Sequence, residues 1–171
     1  ARGNVRVGSL ADRLVAPDKP VTLAVSQKPG PPNYVATDRA NGAAVVAPDG
    51  ARYDFDSLHF HTPAENTVDV VANAMEMHMV HVSPAGDVAV LGVLFRHADA
   101  VSPANAEVTK LLAKIAAEGG REKVRVNLGS LYDSSAGFWE WTGSLTTPPC
   151  SGNVRWLLQK GTSGVSAAQC E

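Results

Sequence analysis

Tyr53-Asp54-Phe55-Asp56-Ser57-Leu58-His59-Phe60-His61 sets Tyr, Phe, Leu and Phe against Asp, Asp, His and His. That is the period-two pattern of a half-buried strand. Residues two apart on a strand share a face, so His59 and His61 project side by side. Thr62-Pro63-Ala64 ends this strand. Val68 to Val82 is rich in β-branched and apolar residues and reads as a following pair of strand segments. His78, in Met75-Glu76-Met77-His78, sits in the second segment at a position that can face the first pair. The chain has five histidines, and these three form a metal-ligand pattern. Three imidazoles leave a tetrahedral ion one open position, the layout of a catalytic zinc site. Neutral imidazoles also leave the dication's charge uncompensated, so a bound water is acidified. Zn²⁺ is therefore the expected cofactor.

Outward from this stretch, Met75 to Val82 and Val88 to Arg96 read as a hairpin turning at Ser83-Pro84-Ala85-Gly86. Shorter strands fit Val21 to Val25 and Ala43 to Ala47, between Pro and Gly punctuation. Ser102-Pro103 reads as a helix N-cap and first turn. Val108, Leu111, Leu112 and Ile115 recur at helical spacing, and Gly119-Gly120 stops the segment. Strand signals return at Gly137 to Trp141 and Val154 to Gln159. The expectation is a mainly β fold, α+β by strict count. It has a central, twisted, mostly antiparallel sheet with a few peripheral helices, in one domain over residues 1–171.

Composition narrows the function classes. Hydrophobic residues make up 44% and charged residues 19%, ordinary values for a globular protein. With 15 basic and 17 acidic side chains, the net charge of −2 gives no footprint for nucleic acid or a polybasic membrane surface. The longest apolar runs, such as Val88 to Phe95, are too short to span a bilayer. Ala1-Arg2-Gly3 opens without a signal-peptide pattern. Cys150 and Cys170 are not in a CxxC pair, which argues against a thiolate metal site. They can pair in an oxidising compartment or stay reduced elsewhere.

Other residues can be weighed one by one. Glu76 lies two positions before His78, on the same strand face. It is placed to accept the second N–H of that ring. Glu65, in the loop after His61, reads by itself as a solvated carboxylate. Thr146-Thr147-Pro148-Pro149 is a rigid turn. His81 lies on the opposite strand face from His78 and reads as a core histidine. His97, at a strand end in polar company, reads as a surface residue.

Together these segments resemble the α-class carbonic anhydrases. The matching pieces are His59-Phe60-His61, Thr62 to Asp69, Met75 to His81, Val88 to Val93, Gly143 to Cys150, and Val154-Arg155-Trp156. They occur in the family's order from Tyr53 to Gln159. The Pro-Pro-Cys form and the Asn after Glu65 look more like bacterial or algal members than the vertebrate cytosolic ones. The resemblance implies the α-carbonic anhydrase fold and reversible, zinc-dependent hydration of CO2 to bicarbonate and a proton. It implies His59, His61 and His78 as zinc ligands. It implies a relay in which Thr146 donates its hydroxyl proton to a buried Glu65 and accepts from zinc-bound hydroxide, aiming the nucleophile. It further implies Val80, Val90, Leu145 and Trp156 as an apolar wall for CO2, with Thr147 near bicarbonate.

Departures from the family carry expectations of their own. The chain matches without the family's N- and C-terminal segments, so it is expected to lack a sheet strand. A partner chain or second copy is expected to cover the edge so exposed. Ser57 stands where the family has a glutamine supporting the first zinc histidine. Cys150 lacks the family's N-terminal disulfide partner, leaving a free thiol, a bond to Cys170 or one to another chain. No histidine precedes His59 at the pocket mouth; Tyr34 falls near that proton-transfer position. The resemblance points to an extracellular, periplasmic or organelle-lumen location. The alternative is a carbonic anhydrase-like structural or binding subunit. Inactive relatives usually lose a zinc histidine, whereas this chain keeps all three with Glu65 and Thr146.

Overall fold

The computed structural model describes residues 4–5, 8–26, 33–98, 103–116 and 123–170. In chain order the strands are β1 (Asn4–Val5), β2 (Leu14–Val15), β3 (Val21–Ser26), β4 (Asn33–Ala36) and β5 (Ala44–Val46). The site-bearing strands follow: β6 (Arg52–His61), a small hairpin of β7 (Thr67–Val68) and β8 (Val71–Ala72), then β9 (Met75–Val82) and β10 (Val88–His97). A single α-helix among the described residues, α1 (Pro103–Ala116), leads to β11 (Lys123–Val126), β12 (Phe138–Ser144) and β13 (Gly152–Val165). The residues offered as helix cap and stop, Ser102 and Gly119-Gly120, lie outside the described residues, as do Ala1 and Glu171.

Eleven strands form one mixed sheet in the order β1-β12-β13-β10-β9-β6-β4-β3-β11, with β5 joined to β6 and β2 to β5. Every pairing in it is antiparallel except β10 with β13. That exception has a cause: α1 lies in the crossover between them, and parallel neighbours need such a connection. The strands that carry the histidines, β6 and β9, are each paired on both sides. β13 runs well past the expected Gln159, because its second half pairs with β10 from Leu94 to His97. β4 and β11 lie outside the strands expected above; Val124 and Val126 of β11 are buried in alternation with exposed Lys123 and Arg125, and both strands pair with β3.

One face of the sheet packs the main core. Leu58, Met75, Met77, Met79, Leu91, Val93 and Phe95 point into it, and Val108 and Leu111 of α1 close over it. Burying side chains of this size contributes roughly 1.5–3 kcal/mol each before conformational entropy is counted. Tyr34 belongs to this core and not to a pocket mouth. It is fully buried, meets Phe60 edge-on, and its hydroxyl donates to the Leu111 carbonyl at 2.7 Å. It stands opposite Leu58, the residue beside His59 that points the other way. Burial pushes its phenol further up from the usual range near 10. The proton-transfer expectation for Tyr34 is therefore corrected.

His81 also faces the core, only 2% exposed, with Nδ1 3.0 Å from the Met79 carbonyl. Burial lowers its pKa from 6.5 to about 4. A depressed folded-state value makes the neutral ring a source of stability above 6.5, lost progressively as the pH falls towards 4. The loss from this one ring should reach about 2 kcal/mol by pH 5. An NMR titration of the His81 ring should show a midpoint near 4; a midpoint near 6.5 would contradict its burial.

Candidate metal centre

A β-bulge aims the histidines. Tyr53 and Phe55 point into the core, and with unbroken alternation His59 and His61 would follow them there. In the ladder with β9, Phe55 stands opposite His81 and Ser57 opposite Val80, so Asp56 is an extra residue. Two residues facing one re-phase a strand. Beyond the bulge Leu58 and Phe60 face the core, and His59 and His61 face the other side. The simple alternation read from the sequence slips by one at this point.

The register then assembles the site. His59 stands opposite His78, and His61 opposite Glu76. The ring centroids lie 4.9 Å apart for His59 and His61, 5.2 Å for His59 and His78, and 4.6 Å for His61 and His78. One nitrogen from each ring can be chosen so that all lie within 4.8 Å of one another. Among the described residues this is the only such group of His, Cys, Asp or Glu. Burial lowers the His59 pKa to about 3, with the His78 and His61 rings adding to the effect. Burial, then His78, lowers that of His61. Both rings are therefore neutral at pH 7, the form that ligates a metal.

Two carboxylates assign nitrogens. Glu76 Oε1 lies 3.0 Å from His78 Nε2, which leaves Nδ1 for coordination. Glu65 Oε1 lies 3.3 Å from His61 Nδ1. The other nitrogen of His61, Nε2, is buried with no hydrogen-bond partner, as is His59 Nδ1; His78 Nε2 has Glu76 Oε1 within ion-pair distance, although the two are not aligned as a hydrogen bond. Three converging imidazoles with orphaned buried nitrogens fit a zinc ion.

Glu76 is the most heavily bonded group here. It is fully buried, accepts from the backbone N–H of Glu65 at 3.0 Å and of Asn66 at 2.8 Å, and takes the Asn66 side-chain amide at 2.6 Å. Burial works to raise its pKa. The nearness and charge of His78 and the Asn66 donors outweigh it, and the net shift is downward. Its carboxylate thus stays ionised and fastens the 64–66 turn to the metal face.

The implied relay is corrected. The Glu65 side chain is 34% exposed and turned to His61; no hydrogen bond joins it to Thr146. Thr146 and Thr147 are both exposed, in a turn closed by Cys150 N–H to the Thr147 carbonyl at 2.9 Å. Ser57 is buried but makes no bond to His59 Nδ1. Cys150 is an exposed free thiol, so it is not bonded to Cys170. His97 is exposed at the end of β10.

The apolar residues come together. Val90, Val154 and Trp156 form a buried cluster with Val80 and Leu145 packed against it. The Trp156 ring meets His78 edge-on at 4.8 Å, and its Nε1 donates to the Ser144 carbonyl at 3.0 Å. Trp141, which the sequence did not single out, stacks on Trp156 at 5.6 Å. Asn66 was missed too; its signal was an amide beside the Glu65 carboxylate, in the loop five residues past the end of β6.

Comparisons with known proteins bear directly on this geometry. The family model for eukaryotic-type carbonic anhydrase matches residues 33–171. The chain belongs to that family. A carbonic anhydrase of Klebsiella pneumoniae is 36% identical over 130 residues, covering 74% of this chain and 51% of the relative. Alpha carbonic anhydrase 3 of Arabidopsis thaliana is 36% identical over 124 residues, covering 70% and 43%. The chain thus spans about half the length of the carbonic anhydrases it matches. The solved α-carbonic anhydrase of Photobacterium profundum superposes with a TM-score of 0.77 at 30% identity, over 92% of this chain and 70% of that one. The Thermovibrio ammonificans α-carbonic anhydrase, solved with the inhibitor sulfanilamide, gives 0.76 at 29% identity, over 92% and 68%.

The Glu76 cradle generates a prediction. Asn66→Asp sets a second carboxylate against Glu76 where a donor stood. It should destabilise the fold by about 1–3 kcal/mol and weaken zinc binding, with Asn66→Ala intermediate. Urea unfolding and chelator competition measure both, and an Asp variant equal to the parent would contradict the cradle.

Proposed function

We propose that this chain catalyses the reversible hydration of CO2 to bicarbonate and a proton at zinc held by His59, His61 and His78. The observation that carries this reading is the meeting of three imidazoles beside the apolar wall of Val80, Val90, Leu145 and Trp156. Zinc in such a set supplies hydroxide at neutral pH, a behaviour for which carbonic anhydrases are the reference case.

The chain's own residues do the rest. Glu76 fixes the ring of His78 and Glu65 that of His61, so each presents a lone pair from a held orientation. Burial keeps protons off His59 and His61 and so lowers competition with the metal. The apolar wall suits a substrate with no net dipole and offers nothing to bind water tightly. Leu145 belongs to that wall, so Thr146 and Thr147 next to it bring two hydroxyls to its rim. Each hydroxyl can donate to an oxygen of the product anion and accept from its proton-bearing oxygen. The binding-subunit alternative is not favoured, because no ligand has been lost.

Among the described residues, proton export lacks an obvious carrier. His81 faces the core, and His97 lies five residues beyond Gly92 on β10, about 16 Å along the strand. Tyr34 is sealed in the core. Stopped-flow measurement of the zinc-loaded protein should therefore show CO2 hydration that rises with imidazole buffer concentration and then saturates. It should be blocked by a sulfonamide and abolished in His78→Ala. Background rates in the loaded protein would contradict the function, and fast turnover indifferent to buffer would contradict the missing carrier.

A further inference from the structure

We propose that Gly92 is a positioning residue for the metal site: its missing side chain is the space in which the Glu76 carboxylate reaches His78. This rests on the zinc reading above. Gly92 interrupts the branched and bulky run Val88-Ala89-Val90-Leu91-Gly92-Val93-Leu94-Phe95 in the middle of β10. It is buried, opposite His78 on one side and Leu158 on the other. Its φ is not positive, so the backbone does not require glycine. What excludes a side chain is space. A Cβ at Gly92 would lie 2.9 Å from Leu158 Cδ1 and 3.0 Å from Glu76 Oε1.

The two contacts differ in kind. Leu158 Cδ1 is the end of a flexible side chain and can turn aside. Oε1 of Glu76 is bonded to Asn66 Nδ2 at 2.6 Å and lies 3.0 Å from His78 Nε2, while Oε2 holds the Glu65 and Asn66 backbone N–H groups. Glu76 is fully buried, so shifting it off these donors strands a charge without water. A methyl group at Gly92 therefore pushes away the oxygen that Asn66 and His78 share. His78 then loses the acceptor that fixes its tautomer and ring orientation. Glycine within a strand commonly marks such a close approach.

The test is zinc affinity of the whole chain by chelator competition, with the His78 Nε2–H resonance followed by NMR. Gly92→Ala should weaken zinc binding about 10–100-fold, as outer partners of metal ligands do, and shift or lose that resonance. Adding Leu158→Ala relieves the leucine contact alone and should not restore affinity; this double variant also carries the comparison if Gly92→Ala does not fold. Combined with Glu76→Gln, Gly92→Ala should add little. Zinc held as tightly by Gly92→Ala as by the parent, recovery with Leu158→Ala, or additivity with Glu76→Gln would each overturn the inference. A parent chain that binds no zinc would instead overturn the metal reading, and this inference with it.

Discussion

His59 stands opposite His78, and His61 opposite Glu76, in the register that joins β6 to β9 beyond the bulge. A slip of β6 by one residue would carry His59 and His61 into the core and Leu58 and Phe60 out of it, and a slip of β9 would exchange His78 with Met77 and Met79 in the same way. Those four apolar residues pack against the main core and hold the register in place. The bulge at Asp56 lets Phe55 and Leu58 both face inward, and so turns the following histidines outward. The metal face is thus a consequence of core packing on the reverse of the same strands.

Charge placement builds on that register. The same pairing that brings the rings together drives protons off His59 and His61, since both are partly dried and both face His78. Glu76 supplies a buried negative charge at the edge of the cluster, and it survives there through three donors from the 65–66 turn as well as His78. The turn after β6 is consequently fastened to β9, and Glu65 is delivered to His61. One face of the cluster is carboxylate-lined and polar; the other is the apolar wall around Trp156. A dication and a nonpolar gas have opposite requirements, and the sheet meets them on adjacent residues.

Much of this was legible in the sequence because strand period and ligand chemistry are local. β9 and β10 and the turn between them could be read from alternation and turn residues, and α1 from the spacing of Val108 and Leu111. The bulge left a trace, because the apolar positions shift phase between Phe55 and Leu58, but which residue is extra is defined only against the partner strand. Tyr34 and Glu65 were misplaced for related reasons. Counting back along a chain does not say which sheet face a residue takes, and a carboxylate beside two candidate partners is decided by distance. The far half of β13, Lys160-Gly161-Thr162-Ser163-Gly164, has a weak pattern of its own and owes its strand form to β10. Gly92 was visible as a glycine inside an apolar run, but its neighbour Glu76 lies on another strand.

X-ray absorption spectroscopy of the zinc-loaded chain tests the central claim most directly. The account predicts imidazole scattering from three histidines and one further light ligand that an added anion or sulfonamide replaces. A fourth protein ligand, fewer than three imidazoles, or a zinc shell unchanged in His78→Ala would contradict it.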